Sequence, residues 1–199
     1  NTLDEIFLAS NTIDEFAAIA PISKLDDHPN YKLNQNQSLN LSEPFQVDCI
    51  DGYAMILNLK KINNLNNFVN SKYFDENIFM YLENDDLCKR IIDNEGKIFV
   101  VPKAKINHIG ASAVDSKYKK QIELSRNWHW MWSKFYFNKK HHGYLIALFR
   151  VFKNLISAKI KFFYYLITFN TFKRKIYQMR LLGLMSSMIG KNSYYRPNI

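Results

Sequence analysis

Phe74-Asp75-Glu76-Asn77-Ile78-Phe79-Met80-Tyr81-Leu82-Glu83-Asn84-Asp85-Asp86-Leu87-Cys88-Lys89-Arg90-Ile91-Ile92 is the stretch that decides the fold. Leu87, Arg90, Ile91 and Ile92 recur with helical spacing. Glu83, Asp85 and Asp86 open that run, where the positive end of a helix stabilises acids. Gly96 stands where a helix C-terminus favours a left-handed residue. Ile98-Phe99-Val100-Val101 then reads as a β-branched and aromatic strand ended by Pro102. Ala104 to His108 reads as a second short strand, and Gly110-Ala111-Ser112 as a turn. Strand, helix and strand in alternation argue for an α/β layered fold.

Upstream, Asn11-Thr12-Ile13-Asp14-Glu15 has the polar caps and early acids of a helix start. Phe16-Ala17-Ala18-Ile19-Ala20 is a short apolar run stopped by Pro21, as expected for a core strand. Residues 22–43 are rich in Asn, Asp and Ser and read as an exposed loop. Phe45 to Ile50 alternates like a strand, Asp51-Gly52 breaks it, and Tyr53 to Leu57 resumes it. Lys60 to Asn70, with its five asparagines, reads as a surface helix passing into a loop.

The chain has 199 residues, 47% hydrophobic and 15% aromatic, enough for a domain with a true core. That excludes a disordered tail and a collagen-like repeat. Two cysteines, Cys49 and Cys88, make neither a disulfide framework nor a zinc quartet and read as reduced cytosolic thiols. Six scattered glycines leave no phosphate-cradling loop. The chain opens on Asn1 and its first methionine is Met55, so it reads as a fragment or a processed product with no signal segment.

Charge divides the chain. Residues 1–116 carry 10 Lys/Arg against 17 Asp/Glu, whereas residues 117–199 carry 17 Lys/Arg against Glu123 alone. Two regions are therefore expected, 1–116 and 117–199, meeting different partners. The second interleaves Trp128, Trp130, Trp132, Phe135, Tyr136 and Phe137 with basic residues. Residues 144–172 are apolar but interrupted by Arg150, Lys153, Lys159 and Lys161, and the longest uncharged run is Phe162 to Phe172. A spanning helix needs about 20 apolar residues, so the expectation is a basic amphipathic region lying on an anionic membrane surface. Nucleic acid is not expected as a partner. The charge would attract phosphate, but it is spread among apolar runs and no nucleic-acid motif accompanies it.

Three groups could carry chemistry. Glu83 and Asp86, three apart, share a helical face and suit a general base beside a partner, or else simply stabilise a helix start. His108 precedes a glycine turn, where it is either structural or one ligand of a metal whose acidic ligands come from elsewhere. In Arg126-Asn127-Trp128-His129-Trp130, Arg126 and Trp128 either stack on a sugar or nucleobase or pin a helix at an interface. His141-His142 beside Lys139-Lys140 reads as a solvated charge run.

Taken in order, Gly52 to Leu57, then Phe74-Asp75-Glu76 through Glu83-Asn84-Asp85-Asp86-Leu87-Cys88-Lys89-Arg90, then Val100-Val101-Pro102-Lys103-Ala104 through His108-Ile109-Gly110-Ala111-Ser112, resemble the acceptor-side half of a family 2 glycosyltransferase. The resemblance covers about residues 10–145. It implies a partial GT-A (Rossmann-like) fold without the N-terminal nucleotide-binding half, followed by basic amphipathic helices. It implies transfer of a sugar, with inversion, from a nucleotide-sugar donor to a saccharide or lipid-linked acceptor in surface-polysaccharide synthesis, peripherally at the cytoplasmic face of the inner membrane. It further implies a divalent cation (Mg or Mn) holding the diphosphate, with His108 on the metal side and Asp51-Gly52 lining the acceptor. Glu83 and Asp86 fall on the flanking acids of the family's E-D-x-D motif. Asn84 falls on its usual base and cannot take a proton, so Glu83, or else Asp85, is expected to serve. If neither does, the chain is a non-catalytic remnant that binds a membrane or a partner. The family's Asp-x-Asp metal motif has no counterpart here, since Asp26-Asp27 lies in the polar stretch.

Overall fold

In a computed structural model the described residues are all but 25–28, 34–39, 67, 69–71, 109–114 and 198–199. The expected turn at Gly110-Ala111-Ser112 and the Asp26-Asp27 pair lie outside them. The fold is α/β with a mixed sheet, about 54% helix. The chain divides into two compact units, residues 1–75 with 83–110, and residues 76–82 with 111–199.

The first unit holds α1 (Thr2–Thr12), β1 (Phe16–Ser23), β2 (Tyr31–Lys32), β3 (Phe45–Val47), β4 (Cys49–Ile50), β5 (Ile56–Leu57), α2 (Leu59–Asn63), α3 (Glu83–Asp93) and β6 (Lys97–Ile106). Its main sheet has the order β3-β6-β1-β5, and β2 pairs with β4 in a separate ribbon. β1 runs parallel to β6, with Ala20 opposite Val100 and Pro21 opposite Val101. β3 and β5 are antiparallel to their neighbours. The six residues Phe16–Pro21 are all buried, as suits a strand in a parallel pair covered on both faces. Ile6 and Ala9 of α1 pack in one apolar cluster with Phe16, Ile19, Val101 and Ala104. Leu87, Cys88 and Ile91 of α3 pack in the other with Ala18, Ile50, Ile62 and Ile98.

Several expectations are corrected. Residues 11–15 end a helix rather than start one. The cap is Asn1, whose side chain accepts from the Leu3 and Asp4 amides, so the first acids of the chain are the ones in the N-terminal turn. Neither proline stops its strand. Pro21 and Pro102 lie within β1 and β6, and the register jumps from Pro21↔Val101 to Ile22↔Lys105. That bulge leaves Pro102, which has no N–H to donate, out of the ladder. The polar stretch 22–43 contributes Ser23 to β1 and residues 31–32 to a strand. Asn30 is buried there: its amide donates to the Pro21 carbonyl (2.8 Å) and its oxygen accepts from the Ser23 amide (2.8 Å). The strand pattern 45–50 is split between two sheets, and the surface segment 60–70 carries the buried anchors Ile62 and Phe68. The left-handed residue after α3 is Glu95 (φ 62°), not Gly96. Gly96 is instead required by space, since a Cβ would lie 2.7 Å from Ile91 Cγ2 and 2.9 Å from the Ile91 carbonyl oxygen.

The second unit is a three-helix assembly of α4 (Lys119–His142), α5 (Tyr144–Ile167) and α6 (Thr171–Met188), preceded by a 3₁₀ turn at Ser116–Tyr118. Met131, Phe135, Ala147, Val151 and Leu184 form its core. Gly183 of α6 meets α4 backbone to backbone: a Cβ there would stand 2.1 Å from the Trp128 carbonyl oxygen. Residues 76–82 dock on α4, with Ser133 Oγ donating to the Met80 carbonyl (2.7 Å) and Phe79 against His129.

α5 leaves one face uncovered. Leu145, Phe149, Phe152, Ile156, Ile160, Phe163 and Ile167 are all exposed and follow one another at intervals of three and four, a continuous apolar stripe along a helix about 36 Å long. Phe149 is 84% exposed and Leu145 80%. No described helix is long and apolar enough to cross a membrane.

His129 fastens the C-terminal segment to α4. It is fully buried, its Nε2 lies 2.8 Å from the Tyr195 carbonyl and its Nδ1 2.9 Å from Ser193 Oγ. A neutral ring meets both, donating from Nε2 and accepting at Nδ1. Burial holds its pKa below the ordinary histidine value, opposed by the Tyr195 carbonyl and assisted by Arg196. The stability this contributes is therefore complete above the unfolded value of about 6.5 and is lost as pH falls through the lower folded value. Helix melting followed by circular dichroism should show a fall in stability from pH 7 to pH 5, and His129→Gln should flatten that dependence.

Candidate functional site

The acids at the start of α3 are sorted by what surrounds them. Asp86 is fully buried and Arg90 Nε donates to its Oδ2 at 3.0 Å. Arg90, 12% exposed, also donates to the Tyr73 carbonyl and, at 3.3 Å, to that of Lys72, and lies over the Phe68 ring. A carboxylate with no exposure needs such a partner, so Asp86, through Arg90, ties α3 to Phe68, Lys72 and Tyr73 and has no face open to a substrate.

Asp85 pairs with Lys32 of β2 and keeps 19% of its side chain exposed. Asn84 points at β4, its amide donating to the Ile50 carbonyl at 2.9 Å, and its Cβ lies 3.4 Å from where a Cβ on Gly52 would stand. The Asp51-Gly52 turn therefore lies against the first turn of α3, and a Cβ at Gly52 would just touch Asn84. Glu83 differs from its neighbours: its Oε2 is buried and has no hydrogen-bond partner.

Asp51 belongs to the same neighbourhood. Its amide donates to the Asn30 carbonyl at 2.9 Å, which fixes the turn to the end of β1. Burial raises its carboxyl above the ordinary aspartate value; Lys32 pulls it down, Asp85 pushes it up and His108 pulls it down. Those effects place Lys32, Asp85 and His108 within electrostatic range of Asp51. For Lys32, burial acts downward, but the pairing with Asp85 prevails and raises its pKa. His108 is exposed, its ring stacked on Tyr53 with centroids 4.1 Å apart and planes 7° apart.

Among the described residues no group of three His, Cys, Asp or Glu side chains could hold a metal ion. His108 is stacked on Tyr53 and Asp85 is paired with Lys32. Cys49 and Cys88 are buried free thiols near the Ile50 carbonyl. Cys88 beside it and burial push the Cys49 thiol up.

The second unit contains a separate cleft of about 300 Å³, lined by Tyr81, Glu123, Arg126, Asn127, Trp130 and Arg180. Arg126 is on it, but Trp128 is not. Trp128 is 1% exposed, edge-on to Tyr194 and stacked on Tyr195, with α6 against its carbonyl. It has no open face for a sugar, and the indole at the cleft is Trp130, 39% exposed.

Sequence reasoning missed Lys32, Asn30 and Arg180, and within the Arg126–Trp130 run it chose the buried Trp128 rather than Trp130. Lys32 carried a signal, being the only Lys or Arg between residues 25 and 59. Arg180 carried none, because only the crossing of α6 on α4 brings it beside Asn127. No family model, curated protein or solved structure matches the chain.

The three acids should separate in a stability measurement. Asp86→Ala strands Arg90 in a buried position and should cost about 3–5 kcal/mol in denaturant unfolding. Glu83→Gln removes no hydrogen bond from Oε2 and should stay within about 0.5 kcal/mol of the parent.

Proposed function

We propose that the chain is the acceptor-side part of a family 2 glycosyltransferase of the GT-A type, acting on a saccharide or lipid-linked acceptor at an anionic membrane surface. The observation that carries this reading is Glu83. It is a half-buried carboxylate at the first turn of a helix, at the sequence position the resemblance gives to the acid pair, and its buried Oε2 has no hydrogen-bond partner among the described residues. An attacking hydroxyl needs a base, and Glu83 serves as one by turning this oxygen out to the acceptor, a rotation that breaks no hydrogen bond of Oε2. Asp85 and Lys32 stand one and two sides of a local charge balance with Asp51, and Lys32 supplies a cation where negative charge gathers. The nucleotide-sugar donor and any divalent cation would be held largely by residues beyond this chain.

The membrane side of the reading rests on α5. Lys153 and Lys161 lie beside Phe152, Ile156 and Ile160 of its apolar stripe, and residues 117–199 contain a single acid. Such a helix lies in the headgroup plane, its apolar face inserted and each nearby basic residue contributing about 1 kcal/mol against anionic lipid. The buried free thiols suit a reducing compartment, hence the cytoplasmic face.

Asn84 favours a second reading, a non-catalytic membrane-binding remnant, because the residue at the family's base position is spent on a structural hydrogen bond to Ile50. Turnover decides between them. The natural protein that carries this chain is given a nucleotide-sugar and anionic vesicles bearing glycolipid acceptor, and released nucleoside diphosphate is followed. Glu83→Gln should lower kcat by about 100-fold or more, the range of a lost general base. Undiminished turnover in both Glu83→Gln and Asp85→Asn removes these acids from the chemistry, and membrane binding with no turnover in the parent establishes the second reading.

A further inference from the structure

We infer that the cleft between α4 and α6 is a binding site for a phosphorylated ring polyol, a sugar phosphate or the same chemistry on a lipid headgroup. Two guanidinium groups face a volume of about 300 Å³, enough for one phosphorylated monosaccharide and too small for a polymer.

Arg126 has no hydrogen-bond, ion-pair or ring partner among the described residues, although it is half-buried at the cleft. A guanidinium at a cleft with no partner keeps its whole fork of donors for a ligand, and a bidentate oxyanion is the group that best matches it. Arg180 is held ready. Its Nε donates to Asn127 Oδ1 at 2.6 Å, and Asn127 is fixed by Glu123, whose carbonyl and Oε1 each accept from its amide at 2.8 Å. Its terminal nitrogens remain for a ligand. Glu123 is the only acid lining the cleft, so the two arginines leave it net positive.

The ring specificity comes from Trp130. Tyr81 meets it edge-on at 5.4 Å and 90°, which fixes the indole and leaves part of its surface open, since 39% of the residue is exposed. The apolar face of a hexose or cyclitol packs on such a surface, and Glu123 can accept from its hydroxyls. Tyr81 itself is held in a left-handed conformation, φ 69°, followed by Leu82 at 66°. Non-glycine residues adopt this region only where the surrounding packing holds them in place. The saccharide part of the inference rests on the reading above, whereas the oxyanion contact stands on the arginines alone.

The test uses binding, not turnover. The full chain is titrated with glucose 1-phosphate, glucose and inorganic phosphate, reading tryptophan fluorescence and heat. In a parallel arm it is mixed with phosphatidylcholine vesicles containing phosphatidylinositol 4-phosphate, or phosphatidylserine at equal charge. Either phosphorylated ring should bind saturably, at least tenfold more tightly than glucose or phosphate in solution, or than phosphatidylserine on vesicles. Arg126→Gln, which breaks no contact in the fold, should weaken it at least tenfold. Trp130→Phe should remove the fluorescence change and keep most of the affinity. Preference for glucose 1-phosphate assigns a soluble source and preference for the vesicle a lipid one. No saturable binding in either arm, or equal binding by Arg126→Gln, overturns the inference. Loss of binding with turnover intact leaves the glycosyltransferase reading standing, and binding without turnover refutes that reading alone.

Discussion

Where α6 crosses α4 there is no room for a side chain. Gly183 brings the two backbones into contact at the Trp128 carbonyl, closer than any Cβ would allow. Inserting even one methyl into such a contact forces backbone shifts. The arrangement of the second unit follows from this approach. Arg180, one turn before Gly183, reaches Asn127 and closes one wall of the cleft, while Leu184, one residue beyond it, enters the core with Met131 and Phe135. α5 packs through Ala147, Val151 and Ala158, small or β-branched residues on one face. Its large apolar residues are left on the other, exposed among the described residues of the unit.

The first unit is governed by a buried charge. Asp86 cannot be ionised without exposure unless it is paired, and Arg90 supplies the pair while capping the carbonyls of residues 72 and 73. This fixes the phase of α3. With Asp86 and Leu87 turned inward, Glu83 and Asp85 take the remaining directions of the first turn, Asp85 toward Lys32. Spacing alone paired Glu83 with Asp86 on one face as base and partner. The structure makes one of them a structural ion and leaves the other with a vacant oxygen.

Elements with strong local signals were legible. The helix at 83–93, the strand beginning at Phe16 and the strand through Ile98–Val101 were all readable, because periodicity and apolar runs report burial directly. The misreadings came from residues with two local meanings. Proline reads as a terminator, yet a bulge in a parallel pair accommodates two of them. Asn, Thr, Asp and Glu at 11–15 read as a cap, yet the cap was spent ten residues earlier on Asn1. In α4, Trp128 and Trp132 lie one turn apart and share the buried face, whereas Trp130 falls on another side. That phase was readable from helical spacing once the helix was assigned. The partners of Arg180 and Lys32 were not readable, since each enters its site through a contact far away in sequence, 53 residues in both cases, although Lys32 itself stood out as a lone basic residue.

α5 leaves an apolar stripe exposed, and the proposed contact of that stripe with a membrane is measured most directly on the stripe itself. Single cysteines at Leu145, Phe149 and Phe163, labelled with an environment-sensitive dye while the two native thiols stay buried, are observed with anionic and with zwitterionic vesicles. The account predicts a blue shift at all three positions with anionic vesicles and a much weaker one with zwitterionic lipid. Unchanged emission at all three, with the protein remaining free of the vesicles, would contradict it.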